Sequence, residues 1–145
     1  MIASASWDRT IKLWNISTGK LISTLSGHTD RVFSVAISPD GKTLVSASDD
    51  RTIKLWNITT GKLISTLSRH TWGVASVAIS PDGKMIASAS WDRTIKLWNI
   101  STSKQIYTLS GGIDTVFSVA ISPDGKMIAS ASGDRTIKLW NISTG

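Results

Sequence analysis

The sequence predicts an all-β chain built from copies of one small antiparallel sheet, and three observations lead there. The stretch "DRTIKLWNI" occurs four times, starting at Asp8, Asp50, Asp92 and Asp134, each copy 42 positions after the one before. A fixed period of that size marks a repeat architecture whose units cannot bury their apolar faces alone. All ten acidic residues are Asp and none is Glu; Glu favours helices, whereas Asp favours turns. Short β-branched and apolar runs alternate with turn signals, and no helical periodicity is sustained.

The unit from Gly27 to Ser68 shows the elements in order. "RVFSVAIS" (Arg31–Ser38) is apolar or small on both faces, as a strand packed on both sides requires. "SPDGK" follows: Pro39 presets φ, Asp40 bonds back to the backbone and Gly41 accepts positive φ. The same turn recurs at Ser80–Lys84 and Ser122–Lys126. "TLVSAS" (Thr43–Ser48) is the second strand, "DDR" a turn, and "TIKLWNI" (Thr52–Ile58) the third strand. "TTGK" turns the chain at Gly61, and "KLISTLS" (Lys62–Ser68) is the fourth strand.

This pattern resembles the WD-repeat β-propeller family, over essentially the whole chain. The repeat length, the Gly-His dipeptide of Gly27-His28, the Asp turn and the strand-ending Trp carry the resemblance. It implies blades of four strands, a to d from the channel outward. It also implies a hydrogen-bonded tetrad in each blade: His28, Ser48, Asp50 and Trp56 in one, and His70, Ser90, Asp92 and Trp98 in the next. In the last copy Gly112 stands in place of the His, leaving Ser132, Asp134 and Trp140. The first copy has Ser6, Asp8 and Trp14, and the chain starts too late to supply a His. The family's Asp after the Trp is Asn here, at Asn15, Asn57, Asn99 and Asn141. The outer two copies are therefore expected to be held more loosely than the middle two.

Ser, His and Asp together also suggest a hydrolase triad. Their recurrence beside the same Trp favours a structural brace, so no catalytic residues are assigned. The two His lie in different blades and the chain has no Cys and no Glu, so neither a metal site nor a cofactor is expected. No signal leader and no long apolar run is present, so no membrane partner is expected. The sequence does not fix a compartment, and the cytoplasm is favoured.

Met1–Ser6 matches strand b of later copies, so the order reads b c d, a b c d, a b c d, a b c. The expected segments are 1–26 without the inner strand, 27–68, 69–110, and 111–145 without the outer strand. That is about 3.5 blades per chain. Open end blades would expose apolar faces, so a ring completed by oligomerisation is expected, with an eight-bladed homodimer favoured.

The copies differ mainly in two loops. The d–a loop reads "GHTDRVF", "RHTWGVA" and "GGIDTVF"; the residue before Asp-Arg in the b–c turn is Trp7, Asp49, Trp91 or Gly133. Strand alternation puts both loops at one end. Trp7, Arg69, Trp72 and Trp91 are therefore candidate partner-binding residues. The expected function is a non-enzymatic scaffold for a protein or peptide partner. A repeat array without a dedicated partner is the alternative. A nucleic-acid binder using the net charge of +6 is disfavoured, because no basic run interleaved with aromatics is present.

Overall fold

A computed structural model of the chain describes residues 1–110 and 114–144. These residues form four consecutive antiparallel sheets. The first holds β1 (Ile2–Ala5), β2 (Thr10–Trp14) and β3 (Leu21–Ser26). The second is β4 (Val32–Ile37), β5 (Thr43–Ser48), β6 (Ile53–Asn57) and β7 (Leu63–Leu67), in that spatial order. The third repeats it with β8 (Val74–Ile79), β9 (Met85–Ser90), β10 (Ile95–Asn99) and β11 (Gln105–Leu109). The fourth has β12 (Val116–Ile121), β13 (Met127–Ser132) and β14 (Ile137–Asn141).

Turn chemistry sets the meander. In "SPDGK" the Asp40 carboxylate accepts from Ser38 Oγ at 2.6 Å and from the Lys42 N–H at 3.0 Å, while Gly41 takes φ 71°. In the c–d turn the Asn57 side-chain oxygen accepts from the Thr60 N–H at 2.9 Å. Gly19 and Gly61 sit there at φ 67° and 68°, and Ser103 is forced to φ 56° at the same place. A side chain in that region costs about 1 kcal/mol. Ser103→Gly is therefore expected to stabilise the chain by about 0.5–1 kcal/mol in urea melts. The b–c turn holds an unforeseen feature: Arg9, Arg51, Arg93 and Arg135 all have φ between 66° and 73°. The Asp before each Arg offsets that strain; Asp50 Oδ1 accepts the Thr52 N–H at 2.9 Å and its hydroxyl at 2.6 Å.

The core lies between sheets rather than within one. Ile11, Leu13 and Leu25 of the first sheet meet Val32, Leu44 and Trp56 of the second. Ile53, Leu55 and Leu67 meet Val74, Ile86 and Trp98 of the third, and Ile95, Leu97 and Leu109 meet Val116 and Ile128 of the fourth. Inner strands are tied across sheets as well, since Ser34 Oγ accepts from the Val77 N–H and Ser76 Oγ from the Val119 N–H, both at 3.3 Å. The two outermost faces lack such cover. Ile137 and Leu139 are 74% and 69% exposed, whereas their counterparts Ile53 and Leu55 are 0% and 1%.

Candidate functional site: the loop face and its braces

Two buried polar braces lie beneath the d–a and b–c loops. His28 Nδ1 lies 2.7 Å from Asp50 Oδ2, and His28 Nε2 lies 2.7 Å from Ser46 Oγ. Trp56 Nε1–H donates to the same Ser46 Oγ at 2.9 Å. The next sheet repeats this with His70, Asp92, Ser88 and Trp98 at 2.7, 2.8 and 2.9 Å. The serine of each brace is thus Ser46 or Ser88, not Ser48 or Ser90 as expected from the sequence. All four serines project from the same side of strand b, two residues apart. Only the earlier one lies under the Trp, because Ser46 pairs with Lys54, two positions before Trp56. Ser48 instead donates to the Asp30 carbonyl at 3.1 Å and accepts the Asp50 N–H at 3.1 Å, closing the loops above. Ser90 does the same with the Gly73 carbonyl and the Asp92 N–H.

Ser46 is 0% exposed, so no substrate carbonyl can reach its oxygen. Burial pushes the Asp50 carboxyl up, but hydrogen bonds from His28, Thr52 and the Thr29 N–H outweigh that and hold it far below the usual carboxylate range. Asp92 is depressed in the same way, by His70 and Thr94. In the fourth sheet the position of Gly112 lies outside the described residues. There Lys138 Nζ contacts Asp134 Oδ2 at 2.7 Å and pulls that carboxyl down to about 2. The equivalent Lys54 and Lys96 reach Thr66 and Thr108 of their outer strands instead. Trp14 and Trp140 still donate to Ser4 and Ser130, but both rings are less buried than Trp56 and Trp98. Among the described residues, no three His, Cys, Asp or Glu side chains cluster as metal ligands would.

Above the braces, loop differences occur in matched pairs. Positions 31 and 49 face each other across strands a and b, joined by the Asp49 N–H to the Arg31 carbonyl at 2.9 Å. Their side chains form an ion pair at 2.7 Å. In the third sheet the pair is Gly73 and Trp91: a Cβ on Gly73 would lie 3.2 Å from Trp91 Cε3 and 2.5 Å from Asp49 Oδ1. In the fourth it is Thr115 and Gly133, where a Cβ on Gly133 would lie 2.7 Å from Thr115 Oγ1. The second-sheet pair is thus matched by charge, and in the third and fourth a glycine faces a larger side chain.

The four candidate partner-binding residues do not form one cluster. Trp7 is 71% exposed, with the Arg31 guanidinium 5.4 Å from its ring centre. Trp72 is 64% exposed. Trp91 folds inward against Phe33, with ring centres 5.2 Å apart, and its buried N–H has no partner among the described residues. Trp72 and Trp91 share a cleft of about 650 Å³ with Thr71, Arg93, Thr115 and Phe117, between the third and fourth sheets. Arg69 stands apart, in an outer groove beside Leu67, Trp98 and Lys104. Phe117, 54% exposed on the cleft wall, was not singled out from the sequence. The Phe33, Ala75, Phe117 series at one position is the signal that marks it.

Four-strand antiparallel sheets stacked face to face, with His, Ser, Asp and Trp bonded beneath one loop end, define a repeat protein built of β-propeller blades. The family model "WD domain, G-beta repeat" matches residues 1–15, 19–57, 61–99 and 103–141, and the chain belongs to that family. Single stretches are similar to larger proteins. The mouse F-box-like/WD repeat-containing protein TBL1X is 55% identical over 42 residues, 29% of this chain and 8% of that protein. The rice small ribosomal subunit protein RACK1y is 52% identical over 40 residues, 28% of this chain and 12% of that protein. Mouse coronin-7 is 48% identical over 44 residues, 30% of this chain and 5% of that protein. Each match is about one repeat long, so the chain spans a small part of these relatives. Members of the family are in general non-enzymatic scaffolds for protein partners.

Proposed function

We propose that the loop face binds a protein or peptide partner and that the His–Ser–Asp–Trp braces keep it rigid. The observation that carries this reading is the aromatic cleft between the third and fourth sheets, walled by exposed Trp72 and Phe117. Rigid aromatic walls bury large area at low entropic cost, which suits a peptide side chain. Pairwise matching of the loop residues favours a maintained surface over an array without a partner. The nucleic-acid reading is weakened by charge: six arginines on this face stand against seven aspartates.

Peptides selected from a displayed library on the immobilised chain test the proposal. Trp72→Ala is expected to weaken them about thirtyfold, as a loss of about 2 kcal/mol implies. Trp72 is the clean probe, because Trp91 also packs on Phe33. Selection that yields no peptide, or peptides indifferent to Trp7 and Trp72, would leave the repeat array as the better reading.

A second reading concerns the bare end faces. Ile137 and Leu139 on one side, and Ile2 and Trp14 on the other, are the two halves of the contact seen three times inside the chain. We propose that a second copy covers them head to tail, giving eight blades in two chains. Counterparts of Leu25 and Val32 are missing from that junction, so it buries less than the internal ones.

A further inference from the structure

The chain sorts its cations by type. All six arginines lie in the d–a and b–c loops, or at the ends of strands entering them, whereas six of the ten lysines lie in the a–b and c–d turns at the opposite end. These are Lys20, Lys42, Lys62, Lys84, Lys104 and Lys126, all exposed. None of the six makes an ion pair among the described residues. Three aspartates share the face, each engaged with its own turn, as Asp40 is with Ser38 and the Lys42 N–H. The turn face is therefore net positive, while the loop face is not.

Arginine suits directional, bidentate recognition, and lysine is a mobile point charge. A face of lysines alone fits a diffuse anionic surface rather than a shaped ligand. The face is also continuous. A Cβ on Gly83 would lie 3.7 Å from Pro39 of the preceding a–b turn, and one on Gly125 3.8 Å from Pro81. A Cβ on Gly61 of the c–d turn would likewise lie 3.5 Å from Leu25 and 3.6 Å from Ser23 of the preceding outer strand.

Apolar residues follow the c–d lysines directly. Lys20 precedes Leu21 and Ile22, 50% and 55% exposed; Lys62 precedes Leu63 and Ile64, 45% and 55% exposed. After Lys104 the third outer strand carries Ile106 and Tyr107, 40% and 50% exposed. Tyr107 replaces Ser23 and Ser65 of the other copies, and an amphipathic ring suits the headgroup level of a bilayer. The exposed residues beside the lysines are mainly aliphatic, which suits a bilayer better than nucleic acid, whose bases stack on aromatic platforms.

We propose that the turn face is a peripheral docking surface for an anionic lipid bilayer. The lysines meet the headgroups, and the first residues of each outer strand dip among them. This departs from the expectation of no membrane partner, which rested on the lack of a leader and of a spanning apolar run and did not consider a peripheral face. The loop face is left pointing away from the bilayer, free for a protein.

Sedimentation of the chain with phosphatidylcholine vesicles, with and without phosphatidylserine, tests it. The chain is expected to pellet only with the anionic vesicles. Binding should weaken about fivefold for each lysine removed in Lys20→Gln, Lys62→Gln and Lys104→Gln. Ile22→Ser with Ile64→Ser should lower the binding that survives raised salt. All five positions are exposed, so circular dichroism of each variant should match the wild type. No pelleting with anionic vesicles overturns the proposal. So does binding that ignores the isoleucine changes and is competed fully by an oligonucleotide, which would mark a general polyanion face.

Discussion

Asp92→Ala is expected to cost about 3 kcal/mol in urea unfolding, against less than about 1 kcal/mol for Asp8→Ala. Both residues occupy the same turn. Asp92 is the acceptor for His70, Thr94 and the Thr71 N–H, and His70 is only 6% exposed. Removing it leaves buried donors unpaired, and that desolvation cost is the main loss. Among the described residues Asp8 bonds only with Thr10 and the Ser6 side chain, on an exposed turn. In a domain of ordinary marginal stability, a loss of about 3 kcal/mol is large. The serines should divide in the same way. Ser88→Ala strands His70 Nε2 and Trp98 Nε1 together, whereas Ser90→Ala removes a loop bond to the Gly73 carbonyl. The expected order is Ser88→Ala worse than Ser90→Ala, and the reverse order would remove Ser88 from the brace.

Acid follows from the same bonds. Asp50 and Asp92 have carboxyls depressed in the folded chain relative to an unfolded value of about 3.9. Between the folded and unfolded values the unfolded chain binds more protons, so stability rises with pH there. Their contribution is complete above the unfolded value and is lost as pH falls below about 4. A chain carrying Asp50→Asn and Asp92→Asn should start less stable at neutral pH and show a flatter acid slope. An unchanged slope would mean that other carboxylates set it, and Asp134, held at about 2 by Lys138, is the first to examine.

Strands and most turns were legible because each is punctuated by chemistry that acts locally. Pro39, Asp40 and Gly41 make a turn whatever lies around them, and Asn57 caps the next one through its own side chain. The brace serine was not legible. Ser46 and Ser48 recur together in every copy and face the same way, so only the register against Lys54 and Trp56 separates them. Trp91 read as a surface aromatic, like Trp7. Its inward turn depends on the absent side chain of Gly73 and on Phe33 of the neighbouring sheet, which are contacts between strands distant in sequence. The left-handed arginines were hidden for a related reason: residue type argues against that conformation, and the Asp–Thr bonds that hold it form only in the folded turn.

Leu139→Asp is expected to abolish self-association. Leu139 is 69% exposed in the single chain, while its counterparts Leu13, Leu55 and Leu97 are buried to within 1% by the next sheet. Covering Leu139 and Ile137 with a second copy contributes about 1.5–3 kcal/mol for each side chain, and a buried unpaired carboxylate reverses that gain. Light scattering of the wild type should therefore give about twice the 15.6 kDa of one chain, and of Leu139→Asp one chain. The geometry of the contact sets a sharper test. In a head-to-tail junction the Leu139 face meets the Ile2 face of the other copy, so Ile2→Asp should dissociate the pair as well. Mixing the two variants leaves one intact junction of two, and weak association should return. A contact made by like faces would instead respond to Leu139→Asp and ignore Ile2→Asp. A wild type that runs as one chain and melts cooperatively would show that four sheets stand alone with bare ends, and the second copy would have no role in covering them.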